Sequence, residues 1–289
     1  MEKARTIARI IEPEQVIEGA GVRLRRSIGT RTLNYLDPFL LLDHFASRDR
    51  ADYEAGFPMH PHRGIETVTY LLEGAVRHKD TVGNSGEIGA GDVQWMTAAG
   101  GIMHEEMPQV RPEGIDGFQL WVNLPAKLKM TRPRYQGIDA SEIPEIEVEG
   151  GVKLKLIAGT ANGSSGPVAG IAADPIYLDV SIPAGSHFIH PVPRDHNAFA
   201  YVFRGAGAFG GSNKQPGQPV SHTRLLVLSD GDHLEVVTAD SPVRFLLIAA
   251  KPLGEPIARY GPFVMNTRQE IEQALADLRN GTFVWNDKI

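Results

Sequence analysis

Short runs of alternating or wholly apolar residues, cut by glycine and proline, dominate the chain. Lys153-Leu154-Lys155-Leu156-Ile157 and Phe118-Gln119-Leu120-Trp121-Val122-Asn123-Leu124 alternate polar with apolar positions. That is the period of a strand with one face buried. Val68-Thr69-Tyr70-Leu71-Leu72, Ile176-Tyr177-Leu178-Asp179-Val180 and Phe245-Leu246-Leu247-Ile248 are further strand-like runs. Turn-rich pieces such as Glu73-Gly74 and Asn162-Gly163-Ser164-Ser165-Gly166-Pro167 separate them. Many short strands with such turns predict an all-β chain of antiparallel sandwiches or barrels.

One helix is predicted near the end. Thr267 and Glu270 have the capping-box spacing, Ile271, Leu275 and Leu278 form an apolar stripe, and Gly281 supplies a stop. It is expected to pack on the outside of a sheet. The acidic segment 139–150, with Glu142, Glu145, Glu147 and Glu149, reads as a connection or solvated edge. It divides the 289 residues into an N-terminal domain, 1–138, and a C-terminal domain, 139–289, each large enough for a core.

The halves resemble each other weakly. Residues 66–74, ending in Gly74, parallel 197–205, ending in Gly205, and Gly91-Asp92 parallels Gly231-Asp232. Counting from these markers sets His60 and His62 opposite Pro191 and Pro193, and His104 and Glu106 opposite Arg244 and Leu246. The second half is therefore expected to bind no metal in the manner of the first.

Composition narrows the function. Cysteine is absent, which excludes disulfides, thiolate metal sites and cysteine nucleophiles. The chain opens without an apolar signal region, and runs such as Phe39-Leu40-Leu41-Leu42 are far too short to span a bilayer. The expectation is a cytoplasmic protein without membrane contact. A net charge of −6 speaks against nucleic acid, which calls for a basic footprint. The basic cluster Arg23-Leu24-Arg25-Arg26 with Arg31 reads as a solvated face.

The chemistry lies in two pairs, His60-Pro61-His62 and His104-Glu105-Glu106. Residues i and i+2 of a strand share a face. If the two strands face each other, three imidazoles and one carboxylate converge. That donor set suits Fe, Mn, Co, Ni, Cu or Zn as divalent ions. A single histidine is more often structural; the joint pattern carries the case. Phe57, Met59, Trp95 and Met103 are candidates to line a pocket beside the ion.

The residues also resemble the pirin family of two-domain cupins. The similarity rests on Leu36-Asp37-Pro38-Phe39-Leu40 with Asp43, on residues 60–68 from His60 to Val68, and on Gly91-Asp92-Val93-Gln94-Trp95-Met96-Thr97-Ala98. Ile102-Met103-His104-Glu105-Glu106-Met107-Pro108 and Gly261-Pro262-Phe263-Val264-Met265-Asn266-Thr267 complete it. The resemblance implies a bicupin, two face-to-face β-sandwich or barrel domains. It implies one divalent ion, Fe(II) foremost, held by His60, His62, His104 and Glu106 in the N-terminal domain only. Many cupins instead use a glutamate soon after His-x-His, here Glu66, which on an unbroken strand would share the face of His60 and His62; the pirin pattern assigns that place to Glu106 and leaves Glu66 a supporting carboxylate. The resemblance further implies flavonol (quercetin) 2,3-dioxygenase activity with O2, with Glu106 or another nearby carboxylate as base. The alternative is a non-enzymatic, metal-dependent regulator that binds a transcription factor or a metabolic enzyme; a third is a cupin isomerase or another dioxygenase with a different small substrate.

Overall fold

The computed structural model describes residues 3–211 and 216–285. The chain forms two compact units, and each is built from non-contiguous segments. One comprises 14–140 and 253–289; the other comprises 1–13 and 141–252. The division expected from the sequence, 1–138 and 139–289, differs from these units at both ends. The first strand joins the later unit, and the terminal helix joins the earlier one. Among the described residues no helix is long and apolar enough to cross a membrane.

The 14–140 unit contains a seven-stranded antiparallel sheet. Its order is Arg134–Ile138, Val93–Thr97, Ile65–Glu73, Ile115–Asn123, Phe39–Ser47, Val22–Ile28 and Glu14–Glu18. A four-stranded sheet runs Phe57–His62, Ile102–Gln109, Ala75–Asp80, Ser85–Ile88. The inner strands of the larger sheet are covered on both faces, with Val68, Tyr70, Leu71 and Phe118 fully buried. Phe57–His62 carries two prolines and lies at the edge of its sheet, where a missing backbone N–H is tolerated.

Gly64 ends that edge strand. Its φ is +81°, and a Cβ there would lie 1.9 Å from the Val264 carbonyl oxygen. Only glycine allows both the turn and the approach. The chain therefore leaves the small sheet after His62 and enters the large one at Ile65.

The C-terminal segment packs on this turn. Val264 N–H donates to Arg63 O at 3.1 Å. The buried Lys129 ammonium donates to Gly64 O (2.7 Å), Asn123 Oδ1 (2.6 Å) and Val264 O (2.9 Å), so its three N–H groups have three acceptors. Burial still lowers its pKa to about 8. The helix Arg268–Asn280 has the expected capping box from Thr267 and Glu270, and Gly281 caps it at φ 73°. Its buried face meets Phe263, Met265 and Phe283, with Met103, Leu275 and Leu278 partly buried around them.

The other unit forms a ten-stranded assembly. Its main order is Ile7–Ile11, Arg224–Leu228, Asn197–Phe209, Val243–Ala250, Ile176–Ile182, Val152–Ala158, Glu145–Val148. The acidic segment thus supplies an edge strand, with Glu145 and Glu147 exposed. Ile7 pairs with Leu228, and the buried Arg5 guanidinium donates to Ser229 O (3.1 Å) and His196 O (3.0 Å). The core is aliphatic around Phe188, Phe209 and Phe245.

Topology corrects the repeat alignment. Asn197–Phe209 does correspond to Ile65–Glu73, as the central strand before a glycine turn. However, the strand that follows Gly231-Asp232, His233–Val237, pairs with His187–Pro191. It takes the place of Ile102–Gln109, not of Val93–Thr97. The inward faces of the two strands carry Phe188, His190, Leu234 and Val236. Pro191, Pro193, Arg244 and Leu246 are therefore not the counterparts of the histidine and glutamate positions. Arg244 instead forms a bidentate pair with Asp179, at 2.9 and 2.6 Å.

Candidate metal centre

Antiparallel pairing of Phe57–His62 with Ile102–Gln109 sets His104 directly opposite His60. His62 joins them from the same face of its strand. One imidazole nitrogen from each of His60, His62 and His104 lies within 4.8 Å of the others. Ring centroids are 4.9 Å apart for His60–His62, 4.3 Å for His60–His104 and 5.0 Å for His62–His104. The Nε2 atoms of His60 and His62 approach to 3.1 Å.

Electrostatics keep these rings neutral. Burial, then the neighbouring imidazoles, holds the pKa of His104 and of His62 well below the ordinary value, and burial lowers His60 as well. His60 Nδ1 lies 2.9 Å from Pro58 O. A carbonyl only accepts, so Nδ1 carries the proton and Nε2 offers its lone pair. Both nitrogens of the buried His104 lack a hydrogen-bond partner among the described residues. Such orphaned groups are costly unless something absent from the protein satisfies them. Three converging neutral nitrogens with an unsatisfied buried member fit a borderline divalent cation.

Glu106 is placed less simply. The register slips between His104 and Glu106, so Glu106 faces Phe57. It lies outside the group of three histidines but lines the same cavity as His60 and His62. Burial pushes its pKa up to about 7, against a hydrogen bond from Thr69. Thr69 Oγ1 lies 2.8 Å from Glu106 Oε1 and 2.7 Å from the Gln119 side-chain amide. One hydroxyl proton cannot serve two acceptors, so the Gln119 amide turns its NH2 to Thr69 while Thr69 donates to Glu106. A cation beside Glu106 would favour its ionised form.

Glu66 does not share the histidine face. The turn at Gly64 breaks the strand assumed in the sequence reading, and Glu66 pairs with Thr97 and Val122 in the large sheet. Thr97 donates to it at 2.7 Å, and burial pushes it up to about 7.

A network behind His104 went unnoticed in the sequence. His78 opposes Glu106 in register, and its ring centroid is 5.4 Å from that of His104. Gln94 Nε2 donates to His78 Nδ1 at 2.8 Å. His78 Nε2 therefore keeps the proton and points it at Asp80 Oδ2, 3.4 Å away. The signal was present, since His78-Lys79-Asp80 has the same i,i+2 spacing.

His60 and His62 open on a cavity of about 570 Å³, within the range of small-molecule sites. Of the expected lining residues Phe57 is present. Met59 is exposed, Trp95 is fully buried, and Met103 packs towards the terminal helix. Leu24, Leu41, Phe45 and Trp121 supply apolar wall, and Arg26, Asp43 and Arg259 supply charge. The Trp121 ring stands edge-on to His62 at 5.0 Å. Arg26, expected on a solvated face, is half-buried and clamped to Asp43 at 2.8 and 2.7 Å and to Glu18 at 2.7 Å.

Comparison with known proteins agrees with this architecture. The pirin family model matches residues 21–122, and the pirin C-terminal cupin domain model matches 177–284. A pirin-like protein of Caulobacter vibrioides is 45% identical over 96% of this chain and 99% of its own. A Pseudomonas aeruginosa protein named "Putative quercetin 2,3-dioxygenase" is 44% identical over 97% of this chain and 99% of its own. A solved structure named quercetin 2,3-dioxygenase, from Acinetobacter baumannii, is 35% identical with a TM-score of 0.85, covering 97% of this chain and 98% of that one. With near full-length identity of this order and two units of cupin strand order, the chain belongs to the pirin family and has the bicupin fold.

Proposed function

We propose that this protein is a metal-dependent dioxygenase of the quercetin 2,3-dioxygenase type. In this reading it uses one divalent transition ion, Fe(II) foremost, held by His60, His62, His104 and Glu106. The observation that carries the reading is the meeting of three neutral imidazoles, two buried and one half-buried, beside a cavity sized for a flavonol. The names of the Pseudomonas and Acinetobacter relatives support the substrate class.

Bound there, a divalent cation supplies Lewis acidity that lowers the pKa of a coordinating hydroxyl. The protein's own groups do the rest. The Pro58 carbonyl fixes the His60 tautomer. Glu106, buried and kept ionised by the cation beside it, is placed to accept the proton of the flavonol 3-hydroxyl. Thr69 and Gln119 hold that carboxylate in place. Phe57 and Trp121 flank the space for the planar rings and exclude water from the ionised substrate. The flavonol then takes up both atoms of O2, its heterocycle opens, and CO leaves.

The test uses protein reconstituted with Fe(II), and separately with Mn, Co, Ni, Cu and Zn. A flavonol such as quercetin should bleach with matching O2 uptake and CO release, and Glu106→Gln should abolish all three. A folded, fully loaded sample that consumes no O2 with any of several flavonols refutes the enzymatic reading and leaves the interaction protein in its place.

A further inference from the structure

The cavity is lined by two kinds of polar group, the imidazoles of His60 and His62 and the guanidinium groups of Arg26 and Arg259. The Trp121 ring touches His62 at 5.0 Å and carries the Arg259 guanidinium above it at 5.1 Å.

The two arginines differ in what they have left to offer. Arg26 directs Nε and Nη2 to Asp43 and Nη1 to Glu18, so every nitrogen of its fork already faces a carboxylate. Arg259 donates only to carbonyls, Nη1 to Leu40 O at 3.1 Å and Nε to Gly261 O at 3.4 Å. Its Nη2 has no protein acceptor among the described residues, and the residue is exposed at the rim. Burial of part of the side chain and the nearby Arg26 charge lower its pKa, while Asp43 and Glu18 favour its charge. Arg259 is thus a cation with a free donor edge at the mouth of an aromatic-walled cavity. A guanidinium edge of this kind recognises oxyanions.

From this arrangement we infer that Arg259 is a specificity residue, selecting planar aromatic ligands that pack beside Trp121 and carry an acidic oxygen within reach of the free Nη2. The inference deepens the dioxygenase reading, on which it rests for the chemistry at the histidines alone. Arg259 comes from the Ala258–Tyr260 strand of the C-terminal segment, so that segment contributes to substrate choice as well as to packing.

The experiment is isothermal titration of 3-hydroxyflavone and of its 4′-carboxylate into metal-loaded wild type, Arg259→Met and Arg259→Lys. Metal content and melting temperature of each variant are checked first. Wild type should prefer the carboxylate about five- to tenfold, as expected for one charge-assisted contact at a partly hydrated site. Arg259→Met should lose or invert that preference, because Arg26 then faces Asp43 and Glu18 without a second cation. Its affinity for the neutral flavonol should fall by a smaller factor than its affinity for the carboxylate. Arg259→Lys should restore part of the preference at low salt, where a point charge is least screened. A wild type without preference, or a Met variant in which both ligands weaken equally, overturns the assignment. Oxygen uptake is scored separately. Preference without turnover removes the enzymatic reading and leaves Arg259's role standing; turnover without preference does the reverse.

Discussion

Asp277 lies on the terminal helix, far in sequence from the histidines, yet its replacement should weaken the unit that holds them. Its Oδ2 accepts from Arg63 Nη1 at 2.6 Å, and Arg63, next to His62, is 3% exposed. Burial by itself would raise the Asp277 pKa; hydrogen bonds from Arg63 and Gln273 outweigh it and leave the carboxyl below its ordinary value. Asp277→Ala strands the guanidinium, which keeps only the Phe283 carbonyl at 3.1 Å and the Phe283 ring at 4.4 Å. Removing one partner of a buried pair costs roughly 3–5 kcal/mol. The low end applies, because the Asp277 side chain is 18% exposed and water can reach the gap. Two gains oppose the loss. Alanine is the better helix former by about 0.5 kcal/mol, and removing an acid from the last turns of a helix recovers about 0.3–1 kcal/mol. The net expectation is about 2 kcal/mol, or roughly 4–8 °C in melting temperature for a unit of this size. Urea denaturation gives the total, and hydrogen exchange read by mass spectrometry gives the location. Protection should fall in Phe57–His62 and Ile65–Glu73 and hold in Ile176–Ile182 and Val243–Ala250. A cost below about 0.5 kcal/mol refutes the energetic argument. An equal loss of protection in both units refutes the assignment of the helix to the first.

Three further outcomes are expected. His62→Ala should leave circular dichroism unchanged and strip most of the metal from a chain that otherwise holds one ion, and equal metal by elemental analysis would sink the ligand set. Metal analysis of the same variant also tests the other unit: with Phe188, Leu234 and Val236 beside a lone His190, no ion should remain at full occupancy between residues 141 and 252. The third concerns pH. Burial lowers His190 to about 4 from 6.5, so the unfolded chain takes up the proton first. Stability of that unit should therefore hold above pH 6.5 and decline by up to about 3 kcal/mol as pH falls to 4. His190→Phe should flatten the decline, and an unchanged slope by denaturant titration would show that another group governs it.

The strands were legible because their signal is local. Leu154 and Leu156 are buried between Lys153 and Lys155, as alternation demands, and the helix bears its capping box at Thr267 and Glu270. The exchange of terminal segments was not legible. Ile7 finds Leu228 and Arg63 finds Asp277, and nothing in a window of fifteen residues encodes such partners. The Gly-Asp marker misled the repeat alignment for a related reason. A glycine-bearing turn opens many strands, and only pairing tells which strand follows.

The same distinction runs through the site. His-x-His and His-x-Glu reveal a shared face because two residues of one strand carry all the information, and His78-x-Asp80 has the same form. What the pattern cannot carry is the break between elements. Gly64 alone moves Glu66 from the histidine face to another sheet. Nor can it carry the partner of a charge. Arg25-Arg26 reads as a wet edge until Asp43, on the neighbouring strand, is found opposite Arg26 in register. The pair turns a surface residue into cavity wall. Arg259 reaches that wall from the last stretch of chain, and the cavity's charge is fixed only when these three are counted with Glu18 and Glu106. The histidine cluster is therefore written locally in the sequence, and the charged wall beside it is written in the tertiary fold. Substitutions at Arg259 should then alter ligand choice while leaving metal content in place, because Arg259 supplies none of the converging nitrogens.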